Sequence, residues 1–141
     1  MMPDAAREPD AESVTLHHLE FWVPDLARAE RSWGWLLTEL GARPFQSWTH
    51  SRSWRWADAG VHLVVEQSPA LVEDRHERHS PGLDHLAFWI DGDCSRPRPE
   101  ARGELASREE DGVLRPFAGG PDHRAAYLQD ADGYEVELVS S

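Results

Sequence analysis

Lysine is absent from this chain of 141 residues: its fourteen basic side chains other than histidine are all arginine. Schiff-base chemistry and lysine general bases are therefore excluded. Cysteine is nearly absent. Cys94 stands alone, so no internal disulfide can form, and a reducing, cytoplasmic location is expected. No apolar run approaches the ~20 residues that span a bilayer. The opening MMPDAAREPDAES is acidic and has no apolar core, so it does not read as a signal peptide. Positive charge is scarce as well. A net charge of −12 argues against a nucleic acid or an anionic membrane as partner. Residues 1–13, rich in Asp, Glu, Ala and Pro, read as a disordered leader. No composition break divides the remainder, so a single domain over 14–139 is expected.

What the chain does contain is a repeat. Leu83-Asp84-His85-Leu86-Ala87-Phe88-Trp89-Ile90 echoes Leu16-His17-His18-Leu19-Glu20-Phe21-Trp22-Val23 at an offset of 67 residues, with five of eight positions identical. Such a repeat is weighed before any fold is chosen. Each copy alternates as a strand does. Leu19, Phe21 and Val23 share one face, as do Leu86, Phe88 and Ile90, while His18 and His85 project from the other.

Around the first copy, Val14 to Val23 reads as a strand ended by Pro24. Asp25 is placed to cap a helix over Leu26 to Leu40, with apolar residues at helical spacing and Gly41 just beyond its end. Gly34, inside that helix, is expected to permit close packing on the sheet. Three strands follow, over Arg43–Thr49, Arg52–Ala57 and Val61–Gln67, the last two joined at Asp58-Ala59-Gly60. In the third, His62, Val64 and Glu66 share a face. Ser68 to Gly82 is a polar connector. The second unit repeats the order: a strand over Leu83–Ile90, a weakly apolar helix over Glu100–Glu110, a strand over Val113–Phe117, and strands over Arg124–Gln129 and Tyr134–Val139. The turn Asp130-Ala131-Asp132-Gly133 joins the last pair. Glu135 and Glu137 share the face opposite Val136 and Leu138. The modules are thus 14–67 and 83–139, each βαβββ, with 68–82 between them.

Two such units, a histidine at the third position of LxHLxFW in each, and a closing DADGYEVELV resemble the vicinal oxygen chelate superfamily. That group includes glyoxalases, extradiol dioxygenases and bleomycin-resistance proteins. The likeness covers about Val14 to Val139 and is most specific over Tyr127 to Leu138, where Ala131 replaces the family's usual proline. The resemblance implies an α+β fold whose two tandem βαβββ modules form a curled mixed sheet around a metal and substrate cavity. It implies a divalent ion (Fe2+, Mn2+, Zn2+ or Ni2+) held by His18, His85 and Glu137. Two imidazoles and a carboxylate on polar strand faces suit such ions and leave coordination positions open. Glu66 and His62 are candidates for a fourth ligand. Counting from the turn glycines, however, places Val64 opposite Glu137 in the repeat, so Glu66 would serve only if its strand slid by two residues. His17 is expected to point away from His18, and His76 and His79 are expected to be solvated.

The metal implies Lewis-acid stabilisation of an anion on a small organic substrate that offers two oxygens. Tyr127, Glu20 and His123 are the acid and base candidates. Trp22 and Trp89 share the histidine face and would line a pocket for a flat, aromatic ligand, with Trp48, Trp54 and Trp56 as further contributors. A lyase or isomerase of the glyoxalase kind is the favoured reading. An Fe(II) extradiol-type dioxygenase and a non-catalytic antibiotic-binding resistance protein are the alternatives. A fosfomycin transferase is disfavoured because its substrate-binding lysine cannot exist here. Seven tryptophans and a weakly covered second sheet favour a homodimer.

Overall fold

The computed structural model describes residues 14–91, 106–107, 113–114 and 124–140. The expected leader, residues 1–13, lies outside them. The chain divides into two compact units between Asp74 and Arg75, within the polar connector.

The first unit runs β1 (His18–Trp22), α1 (Leu26–Glu39), β2 (Arg43–Ser47), β3 (Ser51–Trp56) and β4 (Val61–Glu66). These strands make a mixed sheet in the order β1-β4-β3-β2. Only the β1–β4 pair is parallel. The βαβββ reading of this half is therefore the observed order. Both ends of α1 follow from local chemistry. Asp25 Oδ1 accepts the Arg28 amide at 2.9 Å, and the Gln67 side chain accepts the Leu26 amide at 2.8 Å. Two of the helix's orphan donors are thereby satisfied. At the other end the Gly41 amide bonds to Thr38 and the Ala42 amide to Leu37, with Gly41 at φ 91°. This is a Schellman closure, and its left-handed residue favours glycine.

Val23, Leu26, Ala29, Trp33, Leu36 and Leu37 pack with Trp54, Leu63 and Val65 as the core of this unit, all under a tenth exposed. Removing that apolar area from water supplies most of the driving force, at about 25 cal/mol per Å2. Phe21 meets Trp33 edge-on at 4.9 Å. Gly34 gives the closest helix–sheet approach: a Cβ there would lie 3.0 Å from Trp54 Cζ2. Trp54 pairs with Leu63 across β3 and β4 and so belongs to the core face. Trp56 donates its indole N–H to the Leu40 carbonyl at 2.9 Å. Neither supplies the pocket expected of it, because strand alternation turns both towards the helix.

The second unit runs β5 (His85–Trp89), β6 (Ala106–Ser107), β7 (Val113–Leu114), β8 (Arg124–Gln129) and β9 (Glu135–Ser140). Its sheet has the order β5-β9-β8-β6, with β7 also pairing β8. The β5–β9 pair is parallel, as β1–β4 is in the first sheet. Ala106–Ser107 pairs antiparallel with β8 at Gln129 and Leu128, in the stretch expected to be helix. At these two residues sheet hydrogen bonding wins over a sparse apolar spacing, and the rest of the expected helix lies outside the described residues. The architecture is thus α+β, with two small mixed sheets, neither closed on itself, and one helix among the described residues.

The β8–β9 turn is built on Asp130. Its Oδ1 accepts the amides of Asp132 and Tyr134, both at 2.9 Å, and Gly133 takes φ 92°. Side-chain acceptance of this kind, with glycine in the left-handed region, defines tight turns. The His76 ring stacks on Tyr134 at 3.9 Å, so this histidine is packed rather than solvated. Burial, with Asp130 and Asp132 nearby, pushes the Tyr134 phenol up to about 12.

Candidate metal centre

In the second unit the parallel pairing sets Ala87 beside Glu137, and the antiparallel pairing sets Tyr127 beside Glu137. His85, Glu137 and Tyr127 consequently gather on one face. The other face carries Leu128, Val136 and Leu138, each at most 1% exposed. Glu137 is only 2% exposed, and its Oε1 lies 3.3 Å from His85 Nε2. The Tyr127 ring stands edge-on to His85 with 6.0 Å between centroids. His85 Nδ1 lies 2.7 Å from Asp84 Oδ1. A carboxylate at Nδ1 holds the proton there and presents Nε2 as a lone-pair donor.

Asp84 is itself approached by Arg78, at 3.5 Å. Arg78 Nε also lies 2.7 Å from the Glu135 carboxylate, which is almost wholly buried. A buried carboxylate is costly unless paired, and this arginine supplies the charge. The result is a line of polar contacts running Glu135, Arg78, Asp84, His85, Glu137. Sequence reasoning missed Arg78 and Asp84. Arg78 lies in the connector, where no periodicity marks a partner. Asp84 could have been found from its place beside a repeat histidine.

In the first unit His18 heads the exposed face of β1, followed by Glu20 and Trp22. Trp22 donates to Glu20 Oε2 at 2.8 Å. The parallel register aligns His18 with His62, Glu20 with Val64 and Trp22 with Glu66. In the second sheet His85 aligns with Glu135 and Ala87 with Glu137. The two registers match without any slide. Val64 therefore occupies the place that Glu137 holds in the repeat, and Glu66 lies two residues further along.

His62 faces His18, ring stacked on ring at 5.0 Å. His17 joins them. Its Nδ1 is 2.9 Å from His18 Nδ1, and its ring lies 5.3 Å from that of His62. The expectation that His17 points away fails because it precedes β1, where strand alternation no longer dictates direction. Burial holds the His62 imidazole below its usual value, reinforced by His18, His17 and Arg55. His123 lies outside the described residues. Trp22 and Trp89 are 42% and 77% exposed, each on its histidine face.

The ion that the resemblance implies fits His85 and Glu137. An oriented imidazole nitrogen and a buried carboxylate oxygen 3.3 Å apart match two ligands of one ion, which sit about 3 Å from each other.

Comparison with known proteins agrees with the fold. The family model described as "Glyoxalase/Bleomycin resistance protein/Dioxygenase superfamily" matches residues 17–127. The uncharacterised protein YqjT of Bacillus subtilis (strain 168) is 35% identical over 129 residues, covering 89% of this chain and 98% of YqjT. A solved structure from Bacillus halodurans, assigned provisionally to the glyoxalases, is 32% identical with a TM-score of 0.72, covering 89% and 95% of the two chains. The fosfomycin resistance protein FosX from Mesorhizobium loti is 26% identical with a TM-score of 0.54, covering 92% of each chain. With a family model matching most of its length and a relative sharing a third of its residues, the chain belongs to the glyoxalase/bleomycin resistance protein/dioxygenase superfamily.

Proposed function

We propose that this protein is a divalent-metal-dependent enzyme of the glyoxalase kind, with lyase or isomerase chemistry on a small organic substrate that offers two neighbouring oxygens. His18, His85 and Glu137 hold the ion. The reading rests above all on the line Asp84–His85–Glu137, which prepares an imidazole nitrogen and a buried carboxylate as donors side by side. A carboxylate and an imidazole nitrogen 3.3 Å apart on one sheet face are the donor types that a divalent ion takes, which a purely apolar antibiotic pocket does not call for. Glu66 is left out of the ligand set because the register gives its place to Val64.

When bound, the ion supplies a Lewis acid for the substrate's two oxygens. The chain's own residues do the rest. Asp84 fixes the tautomer of His85. Tyr127, edge-on to His85, donates a proton or hydrogen bond to a substrate oxygen. Glu20, on the face of His18, takes the proton from substrate carbon, with the Trp22 indole steering its carboxylate. His123 is a second proton carrier. Trp22 and Trp89 stack on a flat substrate.

A second reading, an Fe(II) extradiol-type dioxygenase, draws on the same three donors and on Tyr127. One experiment separates the two. The chelated protein is reloaded with Mn2+, Fe2+, Ni2+ or Zn2+ in turn. Proton exchange into deuterated water next to an oxygen pair and oxygen uptake with catechols are then followed. The proposal expects exchange without oxygen uptake, reduced at least ~100-fold in Glu137→Gln. Oxygen uptake with Fe2+ alone would replace it with the dioxygenase. A metal-loaded protein inactive in both would overturn both.

A further inference from the structure

The first unit carries a donor set that the three-ligand reading does not use. One ring nitrogen from each of His17, His18 and His62 lies within 4.8 Å of the other two. The cluster arises from the fold. His18 and His62 are neighbours across the parallel β1–β4 pair, and the His62 amide bonds to the His17 carbonyl at 3.1 Å, extending that pairing by one residue. His17 and His18 are exposed and His62 half-buried, so an ion can reach all three.

We propose that His17, His18 and His62 form a second, all-imidazole site for a borderline divalent cation such as Zn2+, Ni2+ or Cu2+.

Three nitrogens on one tetrahedral ion at 2.0–2.1 Å lie roughly 3.3–3.4 Å apart. The observed limit of 4.8 Å is closed by side-chain rotations that bring the ring nitrogens about 1.4 Å closer, which the two exposed rings permit. His17 Nδ1 and His18 Nδ1 already meet at 2.9 Å, a contact that one shared proton holds and that a cation replaces. The Arg55 guanidinium stands over the Phe45 ring at 5.3 Å and its charge acts on His62, a repulsion that the three imidazole donors have to outweigh. Imidazole donors with no carboxylate select Zn2+, Ni2+ and Cu2+ over Mn2+ and Mg2+, which take oxygen. A fourth position stays open to water. The inference goes beyond the proposed function, because His17 and His62 have no part there. His18 is common to both sets, so an ion on the three histidines competes with one held by His18, His85 and Glu137.

The test uses the full chain with His85→Gln and Glu137→Gln together, which removes both partners of the 3.3 Å contact at once and strands neither. Ni2+ and Zn2+ are titrated in by calorimetry, and Co2+ absorption reports nitrogen donors. Circular dichroism confirms folding. The double variant is expected to bind one ion per chain, more tightly for Ni2+ and Zn2+ than for Mn2+. Adding His62→Ala is expected to cut affinity at least tenfold. His17→Ala, at an exposed position with no structural burden, does the same and serves if the His62 variant fails to fold. A folded double variant that binds no ion would overturn the proposal. So would one whose binding is indifferent to both alanine substitutions. Neither result bears on the His85–Glu137 reading, which the wild-type chain tests separately.

Discussion

A strand histidine is donor, acceptor or ligand according to what its second nitrogen meets, and His85 meets Asp84 at 2.7 Å. Asp84→Ala is expected to leave the fold intact, since the side chain is half exposed, while weakening metal binding 10–100-fold, about what removal of an orienting partner costs. Calorimetry with Mn2+ would show it, and an unchanged affinity would free His85 from Asp84. Tyr134 offers a pH test of packing. Its phenol holds its proton to about 12 in the folded chain, while the unfolded chain loses it near 10.0. The raised value stabilises the fold below pH 10, and that contribution is lost as pH climbs from 10 towards 12. Tyr134→Phe should flatten the stability curve over that window, as read by urea unfolding. Parallel curves for the two proteins would contradict it. At this scale the sequence was partly legible. His18, His85 and Glu137 announced themselves by repetition. Arg78 did not, because its ion pairs depend on where the connector returns.

Elements were the most legible level. Asp25, Gly41, Gly60 and Gly133 act through bonds to residues a few positions away, so their turns and caps can be read locally. Gly34 was read as a close-packing glycine, and Trp54 stands against it. Alanine is the better helix former by about 1 kcal/mol. Gly34→Ala should nevertheless destabilise, by about 1–3 kcal/mol, because the added methyl meets the Trp54 ring at 3.0 Å. A midpoint shift in urea would measure it, and a gain in stability would show that Trp54 yields easily. The helix expected over Glu100–Glu110 gives way to strand at Ala106–Ser107, and its other residues lie outside the described ones. A short stretch with three apolar residues carries too little period to decide, and β6 exists only because β8 lies alongside. The pocket role given to Trp54 and Trp56 failed for a related reason. Alternation showed that they share a face, but only pairing with β4 shows which face.

For the whole molecule, the repeat carried the fold. Two sheets with matching parallel pairs, β1–β4 and β5–β9, are what a duplicated unit should give. One exposed tryptophan outside the proposed site bears on assembly. Trp48 is 61% exposed, and large aromatics left open to water are enriched at protein contacts. A two-fold homodimer is the expected state, and light scattering should give twice the 16.0 kDa of one chain. A mass of one chain at low micromolar concentration would refute it. The central claim is that Glu137 and His85, with His18, hold the ion. Mn2+ binding followed by electron paramagnetic resonance tests this most directly, since the carboxylate-containing set takes Mn2+ and the three clustered histidines disfavour it. One Mn2+ per wild-type chain, with affinity falling at least ~100-fold in folded Glu137→Gln, is the predicted result; equal Mn2+ affinity in the wild type, Glu137→Gln and His85→Gln would contradict it.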